Sequence, residues 1–435
     1  MINGITNILK PTIPLTPIEF YLENSDPKIS FDIGYRPMIW YNDLQIDVIN
    51  SLSLRSSEFI PTISFNFTDS YGRFGNTKFP DNDARIKIFI SSRSELLRPI
   101  YMEFKIIDFN RLSDGTFNIS GVANINELYL KKFQSYPNCS SFNCLLEYSR
   151  KAGIGFSSNV NDTEDVMTWV NPANKGKDFI KDVVMNSYRG DTSFMWAYID
   201  FYYNLVYVDI EQQIKEDITS QLGITDGNLG DILNKIGDKA NEDLGNLFIT
   251  NDKMGDQNNN YYKEWSVYNQ ATKIILQDGY IHKVISYDTA NKNILIFDVD
   301  TISTEQSNLT SLKRSDDEEF NHYGKWTFTG RMIENNVHEN YNYAIVQNTH
   351  NLKSLQKIGM EIIMKTPNFN FYRFQKIYNL MISTVIETTD TPLAIQKLSG
   401  EWIITEIIYL IIDGEFQQKL KLTRRDLNIS QDETV

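Results

Sequence analysis

The sequence is poor in the residues that most often carry chemistry. Among 435 residues there are two cysteines, Cys139 and Cys144, and four histidines, His282, His322, His338 and His350. The cysteines form a lone C-x4-C, "CSSFNC", with no second pair and no neighbouring histidine, which is a poor donor set for zinc. Two are also too few for a disulfide framework, so two free thiols in a reducing compartment are expected. "HENYN", starting at His338, opens like a zincin helix, but Asn342 stands where the second histidine belongs. No G-x-S-x-G and no G-x-x-x-x-G-K-[ST] occurs, and "GIGFSS" from Gly153 lacks the third glycine of a dinucleotide loop. Its glycines read as a helix stop and a tight turn. These absences leave no candidate catalytic residue, no metal ligand and no cofactor, and the expectation is a protein that is not an enzyme.

Basic residues are also in deficit. Lys and Arg number 42 against 56 Asp and Glu, a formal net charge of −14. A duplex-binding surface displaces counterions with basic stripes, so stable nucleic-acid binding is excluded as a leading reading. Long apolar runs are missing too. "WIITEIIYLII" (402–412) is the nearest approach, and it is too short to span a bilayer and contains Glu406. No stable membrane insertion is expected. The first twenty residues carry no basic region followed by an apolar run, so no signal peptide is expected.

What is present is β-type alternation. "KISFDIGY" and "QIDVINSLSL" read as short strands, and "TISFNFTD" repeats apolar and polar positions with period two. "YMEFKIIDF" places Met102, Phe104 and Ile106 on one face and Glu103 and Lys105 on the other. Asp114-Gly115 then supplies a tight turn before "TFNISGVANI". The expected fold class is mainly β with an α+β segment. Residues 1–135 form a first β-rich module, 136–250 a mixed middle segment, and 251–435 a second β-rich module. In the middle segment Ser141 is expected to cap a helix carrying Phe142, Leu145 and Leu146, ended by Gly153. A second helix is expected over 177–187, with Phe179, Ile180, Val183 and Val184 on one face. A third, "GDILNKIGDKANEDL", spaces Leu229, Ile232, Leu233 and Ile236 helically. Residues 251–262 read as a linker and 301–324 as a polar loop, where Asp316, Asp317, Glu318 and Glu319 form a solvated run rather than an acid/base site. Hairpins are expected around 289–292 and at Asp413-Gly414.

The densest signal is "DTSFMWAYIDFYYNLVYVDI" (191–210), with Phe194, Trp196, Tyr198, Phe201, Tyr202, Tyr203 and Tyr207. Such a stretch suits a sugar groove, a base-stacking platform or a sheet core. Strand geometry sends Phe194, Trp196 and Tyr198 one way and Met195, Ala197 and Ile199 the other. Both faces are apolar, which indicates a hairpin covered on both sides: the 177–187 helix packs one, and a second chain is a candidate cover for the other. Asp200 through Asn204 is expected to make the turn, with Asn in the left-handed position. A carbohydrate-binding or carbohydrate-cleaving reading would use Asp200, Asp209 and Trp196.

The order of these features resembles a known family. "SSFNCLLEYSRKAGIGFSSNVNDTEDVMTWVNP" followed by "DFIKDVVMNSYRGDTSFMWAYIDFYYNLVYVDIEQQI" resembles the baseplate central hub protein of contractile-tailed, T-even-like bacteriophages. "GRMIENNVHENYNYAIVQNTHNLKSLQKI" and "LSGEWIITEIIY…FQQKLKLTRRDL" extend the resemblance, which covers most of 138–210 and 326–427. The resemblance implies two antiparallel β-barrels like the tail-tube subunit. It also implies a homotrimer forming a pseudo-sixfold ring that joins the hexameric tail tube to the trimeric cell-puncturing spike. The implied partners are other copies of the chain, the spike, the tube protein and other baseplate and tape-measure proteins, with DNA only in transit. The implied location is the virion tail baseplate, after assembly in the host cytoplasm. A hub of a domesticated injection system fits the same residues. An acidic lumen would keep passing DNA from binding, so part of the −14 is expected to line a channel.

Overall fold

Alternation builds the first module. The computed structural model describes residues 4–12, 37–42, 44–70, 72–74, 84–90, 100–218, 247–251, 260–270, 273–274, 280–289, 291–298, 325–330, 336–382, 398–412 and 414–425. After β1 (Thr6–Leu9) come β2 (Met38–Tyr41), β3 (Leu44–Gln45), β4 (Ile49–Ser56), β5 (Thr62–Thr68), β6 (Arg85–Ile90), β7 (Ile100–Arg111) and β8 (Thr116–Ala123). The strands from β2 onward lie in the order β3-β2-β6-β7-β8-β5-β4, all antiparallel. Leu52 and Leu54, Ile63, Phe65 and Phe67, and Phe117 and Ile119 face inward, and Phe67 stacks on Phe117 at 5.1 Å. Gly115, at φ 84°, closes the β7–β8 turn where expected. The expected strand at 28–35 lies outside the described residues.

The middle segment contains β9 (Lys131–Cys139), α1 (Ser141–Ala152), β10 (Gly155–Ser158), β11 (Met167–Lys175), α2 (Gly176–Met185), β12 (Met195–Ile199), β13 (Asn204–Asp209) and α3 (Ile210–Ile214). Both expected helices form. The cap of α1 is Ser140 rather than Ser141: its hydroxyl accepts from Asn143 N at 3.3 Å. Ser141 is the first helical residue, and its hydroxyl joins a buried cluster with Thr163 and Tyr207. Gly153, at φ 71°, ends the helix. A four-stranded sheet runs β1-β10-β13-β12, with β10 parallel to β13, while β9 and β11 form a separate ribbon. The expected helix at 230–244 lies outside the described residues.

From residue 248 on come β14 (Phe248–Thr250), β15 (Tyr262–Asn269), β16 (Tyr280–Asp288), β17 (Asn293–Asp298), β18 (Lys325–Thr329), α4 (Tyr341–Leu355), β19 (Ile358–Met364), β20 (Lys376–Leu380), β21 (Gly400–Ile412) and β22 (Glu415–Arg424). The hairpins β16–β17 and β21–β22 fall where the sequence places them. The loop 301–324 and its acidic run lie outside the described residues, as do most of residues 251–262.

One feature was not visible in the sequence. β21 pairs antiparallel with β4, Ile407 opposite Ser56 and Ile411 opposite Leu52. Strands from both β-rich modules therefore lie in one curled, half-barrel sheet of thirteen strands, ordered β15-β19-β22-β21-β4-β5-β8-β7-β6-β2-β3, with β20 beside β21 and β14 beside β20. The chain is mainly β with an α+β segment, as its patterning requires.

The helix α4 escaped periodicity because the face it buries is largely polar. Asn342, Gln347, Asn348 and Asn351 are all buried. The Asn348 amide donates to the carbonyls of Met185 and Ser187 at 3.1 and 3.0 Å and accepts from Met195 N at 3.0 Å. Gln347 donates to Asp191 O at 2.6 Å. These amides satisfy the irregular chain between α2 and β12, which has no ladder partner of its own. His338, just before α4, lies 3.1 Å from Asn186 O, and its ring is 6.1 Å from that of Trp169. Burial holds its pKa below the ordinary histidine value.

Asn348→Leu should keep the volume but strand several buried backbone groups, costing about 2–4 kcal/mol in urea unfolding. A loss within error of zero would refute this role. His338 is held neutral in the fold, so the unfolded chain takes up its proton first. Stability should fall as pH drops below about 6.5, and His338→Gln should flatten that fall.

Candidate functional site

The aromatic stretch is the β12–β13 hairpin, and its register is that of an antiparallel pair, Trp196 opposite Val208 and Tyr198 opposite Val206. Met195, Ala197, Ile199, Leu205 and Tyr207 pack into the main core with α2. Phe194, Tyr198, Val206 and Val208 form a second cluster with Leu355, Phe374 and Ile403. Both faces are covered, as expected, but the second cover is the chain's own second module rather than another protein. Burying one such ring contributes about 2–3 kcal/mol, so the aromatics are explained without a ligand.

The two candidate carboxylates are structural and far apart. Asp200 Oδ1 accepts from Tyr202 N and Asn204 N, each at 2.8 Å, and Oδ2 accepts from Asn204 Nδ2 at 2.9 Å. Asp209 accepts from Phe194 N at 3.0 Å, Arg189 Nη1 at 2.9 Å and Glu211 N at 3.1 Å, so it caps α3. Burial raises its pKa against those donors. They sit at opposite ends of β13, roughly 16 Å of extended chain, whereas a glycosidase pair needs about 5–10 Å. The left-handed turn residue is Tyr203, at φ 59°, not an asparagine. The conformation carries its hydroxyl to β7, where it accepts from Glu103 N at 2.7 Å.

Beyond the turn, the hairpin meets the seam between modules. Arg373 is buried beneath Tyr198, its guanidinium carbon 4.8 Å from the ring centre. Nε donates to Thr405 O at 2.7 Å, Nη1 to Glu58 O at 2.6 Å and Nη2 to Ser57 O at 2.8 Å. Thr405 belongs to β21, and Ser57 and Glu58 follow β4. One planar cation thus ties both strands of the seam to the hairpin, with Tyr198 Oη donating to Arg373 O at 3.1 Å. Among the described residues no carboxylate ion-pairs with it. Burial lowers its pKa to about 10, and it stays charged at neutral pH. Ile199 N also donates to Phe59 O at 2.8 Å.

A cavity of about 500 Å³ opens beside this junction, walled by Tyr198, Asp200, Phe369, Tyr372, Arg373 and Tyr409 among others. Asp200 is the one carboxylate in its described lining, and the turn engages it. Among the described residues no group of His, Cys, Asp and Glu is placed to hold a metal ion. Cys139 and Cys144 are free thiols, the second buried in α1. No described helix is long and apolar enough to cross a membrane.

The arrangement has the geometry of a scaffold, with large rings locked in core and polar groups spent on joining segments. Solved structures share the fold. The chain aligns with the tail protein of Neisseria meningitidis MC58 at a TM-score of 0.50 and 8% identity, over 90% of this chain and 96% of that one. It aligns with the 43 kDa tail protein of prophage MuSo2 from Shewanella oneidensis at a TM-score of 0.53 and 10% identity, over 91% and 100%. This chain has a tail-protein fold. No family model matches the sequence, and no curated protein does. At such identities the likeness lies in backbone topology, which fits a fold held by seams and registers more than by any one motif.

Several large apolar side chains are exposed among the described residues. Trp265 is exposed on β15, the last strand of the large sheet, and Ile294, Ile296 and Tyr287 are exposed on the β16–β17 hairpin. The ribbon β9–β11 exposes Phe133 and Val170.

Arg373→Ala should strand three buried carbonyls and lower the unfolding free energy by about 3–5 kcal/mol. Arg373→Lys should recover less than half of that, because one ammonium cannot serve three carbonyls in a planar fan. Urea denaturation checks both; a loss under about 1 kcal/mol for the alanine variant would show that the seam stands without it.

Proposed function

We propose that this chain is a structural baseplate hub subunit of a contractile phage tail. In this reading three copies form a pseudo-sixfold ring that joins the hexameric tail tube to the trimeric spike and lets DNA pass. The observation that carries it is the shared sheet. Two β-rich stretches far apart in sequence contribute to one curved sheet, and β3 and β15 end it with no described strand beyond them. A curved sheet with two open ends invites edge-to-edge continuation into a neighbouring copy, and repeating that three times closes a ring of six β-rich modules. The tail-protein fold over nine-tenths of the chain supports the same reading.

The partners follow from the position: other copies of the chain, the spike on one face, the tube protein on the other, further baseplate and tape-measure proteins, and DNA in transit. The virion tail is the place of action. An acidic bore is part of the proposal, since walls that repel phosphate let DNA slide without binding. The buried aromatics and separated carboxylates give the carbohydrate reading no support, and no enzymatic role is proposed.

Native mass spectrometry and electron microscopy of the purified chain, alone and co-expressed with the spike protein of the same genome, test the proposal. A three-copy ring in either sample is expected. A chain that stays monomeric in both, at high concentration, would overturn it.

A further inference from the structure

The ribbon β9–β11 has an exposed face that no described residue covers. Its other face is core: Tyr136 stacks on Phe179 of α2 at 5.8 Å, and Trp169 and Asn171 are buried. A half-buried ribbon ordinarily turns polar side chains to water on the opposite side. Here Phe133 stands opposite Pro172 and Val170 opposite Ser135, so the exposed side carries a cross-strand apolar group. Phe133 is 84% exposed, the most of any large apolar side chain described, and Val170 is 54% exposed.

The charge at one end of this face is as unusual. Lys131 and Lys175 are register partners, and both are exposed. Like charges directly opposite one another destabilise a ladder. Lys177 follows two residues later at the start of α2, half-exposed. None of the three makes an ion pair within the described residues, whereas the neighbouring Lys132 is paired with Glu127. In a chain of net charge −14, three unpaired lysines beside an exposed phenylalanine are a local inversion of sign.

We infer that the exposed face of the β9–β11 ribbon docks on a neighbouring copy of this chain, with Phe133, Val170 and Pro172 in the dry centre and Lys131, Lys175 and Lys177 on acidic residues of that copy. The occupant is argued from charge. A second copy carries the surplus of carboxylates that this corner lacks, and apolar centres rimmed by complementary charge are how protein contacts gain both affinity and register. The patch is too small to hold two chains alone, since stable interfaces bury about 800 Å² on each partner. It therefore serves as one contact within a larger interface, and in this the inference rests on the ring proposed above.

The test places a photoreactive residue at the centre of the patch, Phe133→p-benzoylphenylalanine, in the assembled chain with its spike protein. Irradiation should join the probe to another copy of the same chain, as read by mass spectrometry. Lys131→Glu combined with Lys175→Glu should reduce that product several-fold. Phe133→Asp should weaken assembly while leaving the circular dichroism and thermal midpoint of the protomer unchanged, because the side chain is outside the core. A ring that forms normally but gives no chain-to-chain product from position 133 would overturn the ribbon contact and leave the ring intact. So would a product joined to the spike instead. A chain that forms no ring in either sample would remove both.

Discussion

The guanidinium of Arg373 is the point on which the remaining architecture converges. Three segments that share no local sequence relation meet there: the end of β4, the middle of β21 and the aromatic hairpin. Each arrives with a carbonyl or a ring that would otherwise be buried without a partner. A planar cation with five fixed donors satisfies carbonyls from both strands and lays its face on Tyr198. A carboxylate partner would have neutralised the charge and drawn the fork away from the backbone. The carbonyl dipoles stabilise the cation instead, and the cation sets the relative position of the strands they come from.

The same strategy recurs around the middle segment, with polar groups used as position markers rather than as chemistry. Lys376 meets Glu401 at 2.8 Å and also donates to the carbonyls of Ile214 and Glu216. Arg425 pairs with Glu211 of α3. Burial raises the pKa of Glu401 against the pull of Lys376. Such pairs add little net stability over a well-packed apolar substitute, but they penalise every misplacement strongly. With the amides of α4, they fix where the hairpin lies on the second module.

Much of this could be read from the sequence. Period-two alternation located β5, β7 and β8, and apolar spacing located α1 and α2, because those elements bury apolar side chains against their own neighbours. The hairpin faces were legible for the same reason. What was not legible arose from partners distant in sequence. The β4–β21 pairing leaves no mark on either strand, since any antiparallel neighbour would satisfy the same backbone groups. The α4 helix buries asparagine and glutamine, so it carries little apolar periodicity. Tyr203 occupies the left-handed turn position because a hydrogen bond to Glu103 offsets the strain, which no local propensity reveals. Likewise, the aromatic density that suggested a groove marked a core, and nothing in the composition pointed to Arg373.

The seam has a consequence for how the molecule is made. Ser56 and Ile407 are register partners separated by roughly 350 residues, so a ribosome must add all of these before β21 can reach β4. Until then β4 is a bare edge, for which any extended chain offers an alternative partner. The intervening middle segment, packed on both β-rich stretches, brings the two strands of the seam close. The seam is thus a late, long-range contact, and the two halves of the large sheet become one only when it closes.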